Sequence, residues 1–335
     1  MGLVYHYTSP QGALGILQNK TLWFTDCEFM NDPAELAYCY KLYDRAWVEA
    51  CREFGVPEAK IEREITRFAN PYECESIASE ATGAYVPARY YALSTCLNGD
   101  DPAMWANYAI KGGKAGYALA FDGRSLARAL ERLASGAPEF GFYVEVLYGQ
   151  VQYTKEKQLE NIKSAIRVHL ERLAEAAGST DELDRVLYSA MARADHWYWF
   201  GDFAPFIKRP EFAYEQEYRY VLKMAQTDRL SASKAEGYSH LAADGERRKC
   251  SSDSNRPCAS KSESPVTLHF REGFAGAITP YLEVRLGEAW VDTLSAVWGH
   301  AYTAPSLIKD GVSQLMEGIG YKDVSIQLSD IRLRG

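Results

Sequence analysis

Tyr214-Glu215-Gln216-Glu217-Tyr218-Arg219, running on into Tyr220-Val221-Leu222, is the stretch on which the reading of this chain turns. Aromatic and β-branched residues alternate with charged ones, so the spacing predicts a strand over Tyr214–Leu222. Strand alternation then places Glu215, Glu217 and Arg219 on one face, with successive side chains about 7 Å apart. Two carboxylates on one face repel each other unless that face is wet or has a task, and an adjacent Arg can hold a carboxylate or grip a phosphate in a forked geometry. The competing reading is a solvated sheet face.

Upstream, Leu3-Val-Tyr-His-Tyr-Thr8 alternates as a short strand with His6 and Thr8 on one face and Tyr5 and Tyr7 on the other. Ser9-Pro10 opens a helix, Thr21–Thr25 is a second strand, and Asp32, Pro33 and Glu35 have the order of a helix cap. Leu36, Tyr40, Tyr43, Trp47, Ala50 and Phe54 then fall on one helical face. Arg89–Thr95 and Ala115–Phe121 are strands, with Asp101-Pro102 starting a short helix through Trp105 and Tyr108 between them. Phe142–Tyr153 is another strand, followed by helices over about 155–176 and 181–198. Strands near 266–270, 275–279 and 293–298, a helix near 304–318 and a strand near 323–328 complete the pattern.

Residues 226–264 hold nine Ser, seven basic and six acidic residues and little to bury, which predicts a long polar loop. Strands spread from one end of the chain to the other argue for one α+β domain over 1–335, with a helical insertion at about 155–200. A length of 335 residues, 47% hydrophobic and rich in Tyr, is ample for a sizeable core and excludes collagen-like, coiled-coil and disordered classes. A net charge of −8 disfavours a broad basic footprint for duplex DNA. No apolar run reaches a membrane span, and the opening residues lack a secretory signal pattern, so the expected location is cytoplasmic with no membrane partner.

The seven cysteines form no C-x-x-C pair and have no His at zinc-ligand spacing, so buried reduced thiols and no metal site are expected. Taken alone, His6 reads as a hydrogen-bonded structural residue, Ser94 and Thr95 as hydroxyls closing a strand end, and Trp105 and Tyr108 as a packed helix.

Together, Tyr5-His6-Tyr7-Thr8, Leu22-Trp23-Phe24-Thr25, Asn31-Asp-Pro-x-Glu35, Ser94-Thr95 before Met104-Trp-x-x-Tyr108, Glu215-x-Glu-Tyr-Arg219 and Ser329-x-Ile-x-x-Arg334 resemble a widespread bacterial family of uncharacterised domains. That family is similar in motif order to the ADP-ribosyltransferase fold. The resemblance implies a split mixed β-sheet with helical insertions and a mono-ADP-ribosyltransferase using NAD as co-substrate without a metal. It implies that Glu217 stabilises the ribosyl cation and Glu215 orients or deprotonates the acceptor. His6 and Thr8 would meet the NAD riboses, Ser94 and Thr95 would order the site, Arg219 or Arg89 would meet the pyrophosphate, and Tyr7, Trp23 or Tyr108 would stack on nicotinamide. Tyr7 stands where the family's usual Gly follows the His, and a Ser-Thr pair where the His-bearing enzymes usually carry a Tyr. A macromolecular acceptor, nucleic acid slightly favoured over protein, and a toxin or phage-defence role with a neutralising antitoxin partner follow from the same resemblance. NAD hydrolysis, a non-catalytic binding module on the same fold and a metal-dependent nuclease using Glu215, Glu217 and Asp32 are the alternatives.

Overall fold

The computed structural model describes residues 2–30, 35–59, 61, 89–110, 115–136, 142–177, 202–226, 264–273, 276–300, 305–321 and 324–331. The expected cap at Asp32-Pro33, the helix over 181–198, nearly all of the polar loop 226–264, and Cys74, Cys250 and Cys258 lie outside these residues.

Alternation sets the strands. In β1 (Leu3–Thr8), Val4 and Tyr7 are buried on opposite faces. Ser9 then accepts from the Gly12 amide and Pro10 occupies the first turn, starting α1 (Pro10–Asn19), whose Ala13, Ile16 and Leu17 turn inward. Lys20, in the left-handed region at φ 55°, ends that helix and leads into β2 (Thr21–Asp26). Helix α2 spans Glu35–Glu53, and its Tyr43, Trp47 and Ala50 are buried as their spacing predicts.

β3 (Arg89–Cys96) is the pivot of the sheet. One of its edges pairs along its whole length with β6 (Glu217–Gln226), from Arg89↔Met224 to Cys96↔Glu217. Its other edge forks. Tyr91 and Ala92 pair with Asp26 and Thr25 of β2, whereas Cys96 alone pairs with Tyr5 of β1. The β1 branch continues through β4 (Gly116–Asp122), β9 (Leu294–His300) and β10 (Ser325–Leu328), and the β2 branch through β8 (Ile278–Arg285) and β7 (Val266–Glu272). β5 (Phe142–Gln150) covers the far edge of β6. β9 and β10 run parallel and the other ladders antiparallel, so the sheet is mixed and the architecture α+β.

One face of this sheet carries the main core, where Val4, Phe24, Leu93, Leu119, Phe121 and Tyr220 meet α1, α3 (Gly123–Gly136) and α5 (Pro305–Gly318). On the other face, Tyr7, Cys96 and Ala118 pack beneath Met104 and Trp105 of the turn over 102–109, which opens as helix and closes as a π turn at Trp105–Ala109. A separate apolar cluster joins α2 to α4 (Lys155–Ala177) through Tyr43 and Trp47 on one helix and Ile162, Ile166 and Leu170 on the other. The helix expected as an insertion therefore has a packing task, covering α2. No helix among the described residues is long and apolar enough to cross a membrane.

The structure corrects the strand expected at Tyr214. Pro210–Glu215 is a 3-10 helix, Gln216 takes a left-handed backbone at φ 44°, and the strand begins only at Glu217. Alternation cannot run through a left-handed residue, so Glu215 reaches the same neighbourhood as Glu217 from a turn and not along a strand.

Candidate active site

The face bearing Glu217 is not a solvated one. Glu215, Glu217 and Arg219 are 1%, 4% and 0% exposed. Charge at that depth persists only when paired and hydrogen-bonded. Arg219 meets Glu217 through Nε at 2.7 Å and Nη2 at 3.2 Å, Glu35 of α2 through Nη1 at 2.5 Å, and the Pro205 carbonyl at 2.6 Å. Lys208, in the loop before the 3-10 helix, donates to Glu217 Oε1 at 2.6 Å and to Glu215 Oε2. Tyr108, carried by the π turn, donates to the other Glu215 oxygen at 2.6 Å. The Glu217 amide donates to the Tyr153 hydroxyl at 3.0 Å, fixing the start of β6.

The cluster is thus a chain, Glu35–Arg219–Glu217–Lys208–Glu215–Tyr108, in which two cations offset two carboxylates and one carboxylate is in surplus. The surplus falls on Glu215. Burial pushes it up to about 7, hydrogen bonding with Glu217 adds to the rise, and Lys208 opposes it. Glu217 moves the other way. Burial alone would raise it, but Arg219 and Lys208 together hold it well below the usual carboxylate range. Glu217 is therefore the fixed anion, and Glu215 the carboxyl that exchanges a proton near neutrality.

The second feature is the fork on the edge of β3. Between Ala92, which pairs with β2, and Cys96, which pairs with β1, the Ser94 carbonyl meets His6 Nδ1 at 3.0 Å. A carbonyl only accepts, so Nδ1 carries the proton. Burial lowers the His6 pKa against the opposing pull of the Ser94 hydrogen bond, with the nearby Arg271 cation adding to the fall, which favours the neutral ring with Nε2 as an acceptor. Ser94 lies directly across from Arg219 in the ladder and shares its face, and its Oγ is buried with no hydrogen-bond partner among the described residues.

The predicted residues are thus sorted by the fold. Glu215, Glu217, Arg219 and Tyr108 come together in the ion cluster, with Ser94 on the same face of the sheet. His6 and Thr8 share the opposite side of β1 with Val4, although the His6 ring reaches the fork. Thr95 also points away from Glu217, its hydroxyl donating to the Tyr218 carbonyl at 2.5 Å. Tyr7 is held by its hydroxyl, which donates to the Asn98 carbonyl and accepts from the Asp101 amide, while its ring meets Trp105 edge-on at 4.9 Å. Arg89 is paired with Asp26 at 2.9 Å, at the opposite end of β3 from Cys96.

Lys208, Glu35 and Tyr153 were not legible as site residues. Lys208 lies in irregular chain, Glu35 reads as a capping residue, and Tyr153 follows the end of β5. Burial raises all four described thiols, Cys51 up to about 12 and Cys96 up to about 11, which disfavours the nucleophilic thiolate. Among the described residues no group of three or more His, Cys, Asp or Glu side chains is placed to hold a metal ion.

Residues 104–220 match the model of a family described as Protein of unknown function (DUF2971), in agreement with the expected resemblance to an uncharacterised domain family. The matched stretch runs from Met104 through the π turn, β4, β5 and α4 to the Glu215–Arg219 cluster. No curated protein matches the chain, and no solved structure does.

Proposed function

We propose that the chain is a mono-ADP-ribosyltransferase that takes ADP-ribose from NAD and passes it to a macromolecular acceptor. The observation that carries this reading is the adjacency of β1, β3 and β6, the strands bearing His6, Ser94 and Glu217, with the sheet forked beside Ser94. These elements are 88 to over a hundred residues apart in sequence and were expected to act together.

Cleaving the bond between nicotinamide and ribose develops positive charge on the ribose, which a fixed carboxylate stabilises if it cannot be protonated away. Arg219 and Lys208 keep Glu217 in that state. Glu215, poised near neutrality, is suited to take a proton from the attacking acceptor atom. Neutral His6 offers Nε2 to a ribose hydroxyl, and Ser94 Oγ offers a donor and acceptor with no partner to surrender among the described residues. Nucleic acid is favoured over protein as acceptor because Tyr214, exposed beside Glu215, offers a ring on which an unpaired base can stack, and such a transferase suits a toxin or phage-defence effector held by a neutralising partner.

The test is incubation with labelled NAD and separate RNA, DNA and protein fractions, comparing the wild type with Glu217→Gln and Ser94→Ala. Label in one fraction, lost in both variants while Ser94→Ala melts like the wild type, supports transfer and names the acceptor. Free ADP-ribose without labelled macromolecule moves the reading to NAD hydrolysis, and intact NAD under every condition overturns both. A second reading, a binding module without activity, is favoured by one observation: Glu215 and Glu217 are sealed in a chain of ion pairs that ties α2 to β6, as a structural strut would be.

A further inference from the structure

On the β2 side of the fork lies a cation that the carboxylate cluster does not touch. Arg271 of β7 donates through Nη2 to Thr25 Oγ1 at 2.7 Å, and its guanidinium lies 5.7 Å from the Trp23 ring centre and 5.3 Å from that of Tyr281. No carboxylate among the described residues pairs with it. Glu283, across from Trp23 on this face, is engaged by Arg285 at 3.4 Å. Aromatic faces hold a guanidinium in place without cancelling its charge, so Arg271 presents a positioned and uncompensated cation.

The surroundings are short of partners in the same sense. The Trp23 indole N–H is buried with no acceptor among the described residues, and so is the hydroxyl of Thr279, directly across from Arg271 in the β7–β8 ladder. The ladders relate all of these to the cluster face: Arg271 aligns with Thr279, Tyr281 with Thr25, Thr25 with Ala92, and Ala92 shares its face with Ser94. Arg271 is also near enough to His6 to disfavour the imidazolium form. A cation, spare N–H and O–H donors, and the Ser94 and His6 groups suited to sugar hydroxyls therefore converge on one fork.

We propose that Arg271, seated on Trp23 and Tyr281, is the phosphate-binding residue of a nucleotide site at this fork. The choice of a nucleotide over a simple carboxylate rests on the function proposed above, because Ser94 and His6 are there assigned to a ribose. The planar guanidinium matches two phosphate oxygens, and the Trp23 indole N–H, without an acceptor among the described residues, would suit a third. The phosphate belongs either to the dinucleotide donor or to a polynucleotide acceptor, and the chemistry at Arg271 is the same for both.

The experiment is equilibrium binding to the full chain, without turnover, of ADP, adenosine and a short single-stranded oligonucleotide, using the wild type, Arg271→Ala and Glu217→Gln. Arg271 is exposed on a strand that ends one branch of the sheet, so its truncation leaves the core intact, and a thermal melt checks this. The expected result is that ADP binds at least tenfold more tightly than adenosine, that Arg271→Ala removes this preference, and that Glu217→Gln keeps it. If instead the oligonucleotide alone loses at least tenfold in Arg271→Ala, the phosphate is that of a polynucleotide and the site stands. Arg271→Ala binding ADP and oligonucleotide as the wild type does overturns the proposal, whatever the NAD assay gives. Failure of the NAD assay with Arg271-dependent ADP binding overturns the transferase reading alone.

Discussion

Replacing Lys208 by Met removes the cation that two carboxylates share, at a site where the side chain is 8% exposed. Breaking a buried pair from one side costs about 3–5 kcal/mol, because the charge left behind stays desolvated without a partner. Here two carboxylates are left, with Arg219 satisfying only Glu217 and Glu35. The cost therefore falls mainly on Glu215, and a second change, Glu215→Gln, should return part of it. Gln keeps an oxygen for the Tyr108 hydroxyl and carries no charge. Lys208→Met/Glu215→Gln is expected to be more stable than Lys208→Met alone, with a coupling energy of about 1–3 kcal/mol. Urea unfolding of wild type, both single variants and the double variant gives the four free energies of the cycle, provided the slopes agree. Strict additivity, or a double variant less stable than Lys208→Met, would show that the surplus charge does not reside on Glu215.

The remaining expectations concern pH, the fork and the π turn. Glu215 is raised from 4.5 to about 7 on folding, so its contribution is fully present below 4.5 and is lost as pH rises toward 7, by about 3 kcal/mol in all, and Glu215→Gln should flatten that part of a melting-temperature profile. Glu217, held low, works in the opposite sense: its contribution is present above 4.5 and is lost as pH falls below that value, so the wild-type profile should also fall on the acid side. Ser94→Ala removes a hydroxyl with no partner among the described residues, and its unfolding free energy should stay within about 1 kcal/mol of the wild type or rise, while a loss well beyond that would show that the hydroxyl is structural. In Gly116→Ala the new Cβ would lie 2.7 Å from the Ala109 Cβ and 3.0 Å from the Ala109 carbonyl carbon, so a loss of about 1–3 kcal/mol is expected in chemical denaturation. Unchanged stability there would mean that the π turn carrying Tyr108 is not pressed against β4.

Local rules made much of this fold legible. Ser9-Pro10 starts a helix because a hydroxyl caps an amide and a ring fixes the first turn, and the alternation in Leu3–Thr8 put His6 and Tyr7 on opposite faces, as found. The failure at Tyr214–Gln216 has an equally local cause. Glu-Gln-Glu-Tyr-Arg has the period of a strand, but a single left-handed residue at Gln216 breaks the period, and nothing in a lone Gln announces that conformation. Carboxylates that alternation would hold about 7 Å apart therefore share one ammonium. Lys208 itself could not be found by period, because it is placed by backbone bonds to the Gln152 carbonyl and from the Gln158 side chain, contacts that belong to the tertiary fold. Arg271 was hidden for a related reason: the role proposed for it rests on its having no carboxylate partner among the described residues, and a sequence does not show which charges end up unpaired.

The two features divide the labour of one strand. β3 gives one edge to β6, which brings the locked charges of Glu217 and Arg219, and opens the other edge at Ser94, whose hydroxyl has no partner among the described residues. A locked network resists rearrangement and so holds its charges where they are, which is what a fixed anion beside developing positive charge requires. An open fork with spare donors and acceptors costs stability unless something fills it. A ligand that recovers this cost gains affinity from the same groups, and must contact Ser94 on the face it shares with Glu217. On the proposed function, the fork and the carboxylates meet on a single strand, and the Tyr108 hydroxyl that donates to Glu215 must yield before an acceptor can reach that oxygen.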